Sequence, residues 1–275
     1  MRISIAHETV YSYETPASSV IQTLRLTPRN FAGQHVAKWR VEVDQDCRLE
    51  AHEDAFGNIT HTFTAAGPVE RLVVRVDGLV ETTDTAGVIR GSVERFPPAL
   101  FLRETDLTRP DAAIKAYAEQ RRAAADGTPL ATLHELMRGL NTDLVFDKDP
   151  THAGTTAVEA FALKRGVCQD FAHIFIAAAR HLAIPTRYVG GYFLRADGTV
   201  DQEAGHAWAE AHVADLGWVG FDPANGICPA EAHIRIAAGL DYLGAAPVRG
   251  TRYGGGGEAL SVKVQVDQAQ RQVQS

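Results

Sequence analysis

The chain has 275 residues, of which 45% are hydrophobic and 22% charged, a composition typical of folded globular proteins rather than disordered chains. Its formal net charge of -7 disfavours binding to nucleic acid and to anionic membrane surfaces. No apolar run approaches the ~18 residues that a membrane span requires, and the amino terminus lacks the apolar stretch of a secretory signal. We therefore expect a cytoplasmic protein of one large or two modest domains, without nucleic-acid or membrane partners.

The first 90 residues have the pattern of β-strands. Alternate residues from Ile3 to Tyr13 form one side of an extended chain, and residues 69–76 are rich in β-branched side chains. Turn-forming pairs such as Thr27-Pro28 and Gly67-Pro68 separate these runs. The pattern predicts an N-terminal antiparallel β-sandwich-like domain over residues 1–90.

Helices and short strands follow in residues 91–250. An Ala-rich helix is predicted from Asp111, a second over residues 132–140, and a third over residues 168–182 with one apolar face. Strands are predicted at 186–193, 206–213 and 218–222. The fold class is therefore α+β, with residues 91–250 as a second domain.

The last segment, residues 251–275, differs in composition from the rest. Glycines 254–257 predict a hinge, and the alternation from Leu260 to Val266 predicts a late strand. The Gln-rich end predicts a frayed tail.

Cys168 is the first candidate functional residue, in the segment Gly166-Val167-Cys168-Gln169-Asp170-Phe171. A cysteine at the start of a helix has backbone N–H groups and the positive end of the helix dipole beside its sulfur, which favours the reactive thiolate. Its own backbone N–H can stabilise the oxyanion of a tetrahedral intermediate. The alternative is a small buried residue, which free cysteines usually are. The other cysteines, Cys47 and Cys228, do not complete a disulfide framework.

His206 and Asp222 are the partners that such a thiol requires. His206 begins a predicted strand whose alternate residues, Ala207 to Val213, are expected to face the core, so its imidazole should face away into a cleft. A loop of odd length between the two strands would bring Asp222 diagonally beside it. The imidazole can then take the thiol proton while the carboxylate holds the other ring nitrogen. Taken singly, a backbone-bonded histidine and an Asp-Pro turn are the ordinary interpretations.

A zinc site is the alternative chemistry for the same three residues, with His212 or Cys228 as a further ligand. A linear relay of cysteine, histidine and carboxylate does not converge on one point, which disfavours a metal. We therefore predict neither a metal nor another cofactor. Trp208 and Trp218 are expected either to line an acyl-binding cleft or to cover the sheet.

Four blocks of sequence resemble the core of bacterial transglutaminase-like proteins: residues 166–173 (GVCQDFAH), 185–192 (PTRYVGGY), 206–208 (HAW) and 217–223 (GWVGFDP). The first half resembles the β domain that precedes this core in many bacterial members, through residues 7–13 (HETVYSY), 24–29 (LRLTPR), Gln34 and 56–58 (FGN). The likeness extends to about residue 245.

The resemblance implies a papain-like core, in which a helix beginning with Cys168 packs on an antiparallel sheet that supplies His206 and Asp222 as the rest of a catalytic triad. It implies a cysteine-dependent acyl-transfer enzyme that acts on amide bonds of a peptide, a protein or a small amide through a thioester. Hydrolysis is favoured over transfer to an amine, because protein crosslinking has no obvious use in a bacterial-type cytoplasm and no segment resembles the calcium-binding loops of animal transglutaminases. A non-catalytic peptide-binding or scaffold module is the alternative of another class. The oligomeric state and the role of the first domain stay open.

Overall fold

Long strands come first in the chain, and helices with shorter strands follow. The computed structural model describes residues 1–125 and 127–269. In these ranges the strands are β1 Arg2–Thr27, β2 Gln34–Val43, β3 Glu50–Glu53, β4 Ile59–Thr82, β5 Val88–Ile89, β6 Val145–Phe146, β7 Arg165–Gly166, β8 Thr186–Phe193, β9 Asp201–Gln202, β10 His206–Val213, β11 Gly217–Phe221, β12 His233–Gly239, β13 Val248–Gly254 and β14 Glu258–Gln268. The helices are α1 Ala112–Ala124, α2 Pro129–Asp143, α3 Ala157–Leu163, α4 Cys168–His181 and α5 Tyr242–Ala245, with a 3₁₀ helix at Pro98–Leu102.

A seven-stranded antiparallel sheet is built around the long pair β1 and β4. Ile3, Ile5, His7 and Thr9 are buried while the residues between them are half-buried, because successive side chains of a strand point to opposite faces. Residues from both halves of the long pair of strands pack together in one apolar cluster. This is the predicted sandwich-like arrangement.

A five-stranded antiparallel sheet, in the order β12-β8-β10-β11-β5, carries the second half of the molecule. Helix α4 packs on β8 and β10 and is also in contact with α1, α2 and α3. The helix is buried as predicted, but its burial extends beyond the apolar face, because every residue from Asp170 to Arg180 is buried. Helices on one side and the sheet on the other leave α4 no solvent-facing side.

Segments cross between the two sheets near the predicted domain bounds. Strand β5, which ends just before residue 90, pairs with β11 in the five-stranded sheet. Strands β13 and β14, beyond residue 247, both pair with β1. The domain bounds stay a prediction, and the end of the expected Gln-rich tail, residues 270–275, lies outside the described residues.

The fold class is α+β as predicted, but the turn expected at Gly67-Pro68 is wrong, because β4 Ile59–Thr82 runs through this pair. The sequence expectations for 186–193 and 206–213 coincide with β8 and β10, and the expected strand at 218–222 is β11, Gly217–Phe221. Among the described helices, none is both long enough and apolar enough to cross a membrane.

Candidate active site

Cys168 is the first residue of α4 and is half-buried. The turn before it is fixed by Asp170, whose carboxylate accepts the backbone N–H of Val167 at 2.8 Å and the hydroxyl of Thr151 at 2.7 Å. A side chain at Gly166 would collide with that carboxylate, so glycine is required there. Burial raises the pKa of Asp170, against the effect of these two hydrogen bonds. The cysteine is thus held at a helix start whose own first N–H groups have no acceptor within the helix.

The hairpin of β10 and β11 brings His206 and Asp222 together. Val213 pairs with Gly217 and Ala209 with Phe221, so the loop consists of residues 214–216 and has an odd length. Asp222 follows the last paired residue, on the face of His206. The Nε2 atom of His206 lies 2.6 Å from Oδ2 of Asp222, the diagonal contact that an odd loop predicts.

Asp222 is fully buried and accepts several hydrogen bonds. Asn225 donates its backbone N–H to Oδ1 at 3.2 Å and its side-chain amide to Oδ2 at 2.7 Å. His233 adds a contact from Nε2 to Oδ2 at 3.1 Å. Burial would raise the pKa of Asp222, but the charge of His206 and the hydrogen bonds from His206 and His233 hold it well below the usual range. The carboxylate is therefore charged at neutral pH.

The ring nitrogens of His206 have separate partners. Because Nε2–H is directed to Asp222, Nδ1 is the ring nitrogen that remains free to face the thiol of Cys168. Burial would lower the pKa of His206, but Asp222 and then Cys168 raise it to about 10. The structure thus joins His206 directly to Asp222 and places Cys168 close enough to contribute to the raised pKa of His206.

Both faces of β10 are covered. Ala207, Ala209 and Ala211 belong to the main core, and His206 lies on the opposite face, where Trp208 and Glu210 are 1% and 0% exposed. Trp208 packs with its ring centroid 6.0 Å from that of His206. Trp218 instead packs edge-on against Phe101 at 5.1 Å. Trp208 therefore lies at the site, whereas Trp218 covers the sheet.

One group of side-chain atoms that could hold a metal ion is present, but it includes His233 instead of the predicted Cys168. Among the described residues, one ligand atom each from His206, Asp222 and His233 lie within 4.8 Å of one another. The other expected ligands are not in this group: His212 packs against Trp218 at 5.3 Å, and Cys228 is a free thiol. The Asp222 oxygen at the centre accepts hydrogen bonds from both histidines.

Three residues of the site were not predicted from the sequence. His233 begins a strand that pairs with β8, so its approach to Asp222 depends on long-range pairing. Asn225 is a typical turn residue, so the sequence indicates a turn there but not that its side-chain amide contacts Asp222. Asp170 had a local signal, because an acidic residue in the first turn of a helix commonly accepts a free N–H group. Gln169 donates to the carbonyl of Ala153 at 3.2 Å.

A helix that begins with cysteine, packed on an antiparallel sheet that carries a histidine and a carboxylate, defines the class of protein. Residues 3–81 match the bacterial transglutaminase-like N-terminal region, and residues 115–223 match the transglutaminase-like superfamily. The chain therefore belongs to the transglutaminase-like superfamily, among proteins that carry this N-terminal region.

Relatives match over nearly the whole chain. An uncharacterized protein of Mycobacterium leprae is 31% identical over 279 residues, covering 96% of this chain and 98% of the relative. One of Mycobacterium tuberculosis H37Rv is 29% identical over 280 residues, covering 92% and 88%. A candidate cysteine protease of Cytophaga hutchinsonii has a solved structure that superposes with a TM-score of 0.78 at 18% identity, covering 98% of this chain and 91% of that one. At this identity the likeness concerns the fold.

Proposed function

We propose that this protein is a cysteine-dependent acyl-transfer enzyme that acts on amide bonds, with Cys168 as nucleophile, His206 as base and Asp222 as the residue that orients the histidine. The observation that carries the proposal is the 2.6 Å contact between Nε2 of His206 and Asp222, which leaves Nδ1 for a thiol at the start of a helix. Nucleophile, base and orienting group in this order are the arrangement that activates a thiol.

The resting state we propose is an ion pair. The pKa of His206, raised to about 10, keeps its imidazole protonated at neutral pH. An imidazolium between the Asp222 carboxylate and the sulfur favours the thiolate form of Cys168. The positive end of α4 acts in the same direction.

The reaction begins when the thiolate attacks the carbonyl carbon of the amide. A C–S bond forms, and the electron pair of the C=O bond moves to oxygen as an oxyanion, toward which the backbone N–H of Cys168 can donate. The oxyanion collapses, the C–N bond breaks, and His206 gives its proton to the leaving amine. A thioester on Cys168 and a neutral His206 result.

Water completes the cycle in the reaction that we favour. His206 takes a proton from the water as it attacks the thioester, and collapse releases a carboxylic acid and returns the thiolate and imidazolium. The enzyme would then be a protease, peptidase or amidase. The fold neighbour from Cytophaga hutchinsonii is named as a candidate cysteine protease, which supports this choice. A cytoplasmic location for the reaction stays a prediction from the sequence.

Alkylation by iodoacetamide tests the proposal without a known substrate. The rate at each cysteine is followed by mass spectrometry from pH 4 to 9. We expect Cys168 to react at pH 6 at least about 100-fold faster than Cys47 and Cys228, because a paired thiolate persists where ordinary thiols are protonated. Burial and nearby acidic residues raise the pKa of Cys47, and burial raises the pKa of Cys228, so both are internal references.

The His206→Ala variant should remove most of this advantage. His212→Ala is the matched control, because His212 lies on the same strand but packs against Trp218. If Cys168 reacts no faster than the reference cysteines and His206→Ala changes nothing, the proposal is wrong, and a non-catalytic binding module takes its place.

The acceptor is identified with peptide substrates in H₂¹⁸O, with and without an added primary amine. Incorporation of ¹⁸O into a new carboxylate is expected for a hydrolase. Formation of a new amide in preference to the acid would instead identify transfer to the amine. Cys168→Ala should form neither product.

A further inference from the structure

Asp222 has a second histidine partner that the proposed mechanism does not use. The Nε2 atom of His233 lies 3.1 Å from Oδ2 of Asp222, the oxygen that also accepts from His206. Nδ1 of His233 accepts the backbone N–H of Ala230 at 3.4 Å, so a neutral ring carries its proton on Nε2, directed at the carboxylate. Burial lowers the pKa of His233, which keeps the ring neutral.

The ring of His233 is held in place by its neighbours. Its centroid lies 4.5 Å from that of Phe193 and 5.3 Å from that of Trp208. The side chain is 3% exposed, so it has no room to turn away from Asp222. A fixed donor on one carboxylate oxygen limits the rotation of the carboxyl group, and with it the direction of the bond to His206.

Side chains of the N-terminal region form hydrogen bonds with β12, the strand that carries His233. Strand β12 is an edge strand of the five-stranded sheet, so its outer backbone groups have no neighbouring strand in that sheet to bond. The amide of Gln34 donates to the carbonyl of Arg235 at 2.9 Å and accepts its N–H at 2.8 Å. The amide of Asn58 makes the same pair of bonds with Ala238, both at 2.8 Å.

These two side-chain amides make backbone hydrogen bonds that a neighbouring strand would otherwise make. Gln34 and Asn58 are 3% and 4% exposed, and each satisfies both backbone groups of one residue of β12. Both were among the residues that resemble the bacterial β domain, and the proposed mechanism gives them no part. Their contacts begin two residues after His233.

We infer that His233 is a positioning residue for the Asp222–His206 pair, and that Gln34 and Asn58 hold β12 so that His233 meets Asp222. The N-terminal region is then a structural part of the active site. This inference rests on the proposed function, in that the pair it aligns is the one assigned to catalysis.

The test compares His233→Leu, His233→Gln and Gln34→Met. Leucine removes the donor, glutamine keeps an N–H donor at a similar distance from the backbone, and methionine removes both amide bonds to Arg235. We expect the rate of Cys168 alkylation at pH 6 to fall about tenfold in His233→Leu, because misaligned partners of a reactive group commonly cost one to two orders of magnitude. Glutamine should restore most of the rate. Gln34→Met should lower the rate of Cys168 alkylation at pH 6 as His233→Leu does, but by a smaller factor.

A second readout reports alignment directly. In protein labelled with ¹⁵N-histidine, the Nε2 proton of His206 in its bond to Asp222 should give a downfield signal, assigned by its loss in His206→Gln. We expect the signal in wild type and His233→Gln, and its loss or broadening in His233→Leu. His7→Gln is the matched control: His7 is equally buried but bonds Tyr192 and Thr9, and its alkylation profile should stay within about twofold of wild type.

The outcomes separate the two proposals. If folded His233→Leu, judged by its thermal unfolding, keeps both the signal and the pH profile of wild type, the positioning role is overturned. If His206→Ala leaves Cys168 reactivity unchanged while His233→Leu still loses the signal, the positioning role stands and the proposed function fails.

Discussion

The two large sheets differ in how deeply they bury their charged side chains. In the seven-stranded sheet, buried and partly exposed residues alternate along β1, and charged groups such as Glu8 and Arg75 pair on the surface, 35% and 46% exposed. In the five-stranded sheet β10 is buried on both faces, and Glu210 and Asp222 nearby are fully buried. Charged groups in such a place persist only when each is paired. The sheet that is covered on both faces is therefore the one that can hold a carboxylate and an imidazole in a fixed geometry.

Removing a buried charge from the five-stranded sheet should cause the largest loss of stability that we expect. Glu210 accepts from Nε of Arg187 at 2.6 Å and from Nε of Arg235 at 2.7 Å. Glu210→Ala leaves both guanidinium groups without this partner and should cost about 3–5 kcal/mol in the free energy of unfolding. Denaturant unfolding measures the loss.

The matched control is Glu8→Ala in the seven-stranded sheet. Its ion pair with Arg75, at 2.9 Å, is partly exposed to solvent, so its removal should cost no more than about 1 kcal/mol. Equal losses in the two variants would contradict the contrast between the sheets.

The pH dependence of stability should sharpen the same contrast, first at the site. The pKa of His206 is raised in the folded state, so its contribution is fully present below the unfolded value of about 6.5 and is lost as the pH rises through the folded value. The slope should be at most about 1.4 kcal/mol per pH unit. The measurement is the free energy of unfolding of Cys168→Ala minus that of Cys168→Ala/His206→Gln at each pH. Both variants lack the thiol, so its titration does not contribute to the difference. A constant difference from pH 6.5 to 9.5 would contradict the charged pair.

His7 should show the opposite and smaller effect. It is buried in the seven-stranded sheet beside neutral hydroxyls, and burial lowers its pKa to about 4. The unfolded chain then binds more protons between pH 6.5 and 4, so stability is lost as the pH falls through this window. His7→Gln should make that loss shallower. The same slope in wild type and the variant would mean that His7 does not titrate on unfolding.

Much of the fold could be predicted from local patterns. Strand patterns identified β1, β8 and β10, and the change in residue pattern after residue 90 separated strands from helices. Cys168 at the start of a helix and the odd loop before Asp222 are also local features, so their arrangement could be predicted from spacing. The burial of α4 on every side could not, because its apolar stripe says nothing about what covers the remaining face.

The sequence by itself indicated the class of this protein, because the blocks around Cys168, His206 and Asp222 resemble the core of bacterial transglutaminase-like proteins. Only the tertiary structure decided that His233 meets Asp222, and that Gln34 and Asn58 occupy the free edge of β12. Gln34 and Arg235 are separated by 201 positions, and Asn58 and Ala238 by 180. Contacts of that separation depend on how two sheets dock, and no spacing along the chain encodes them.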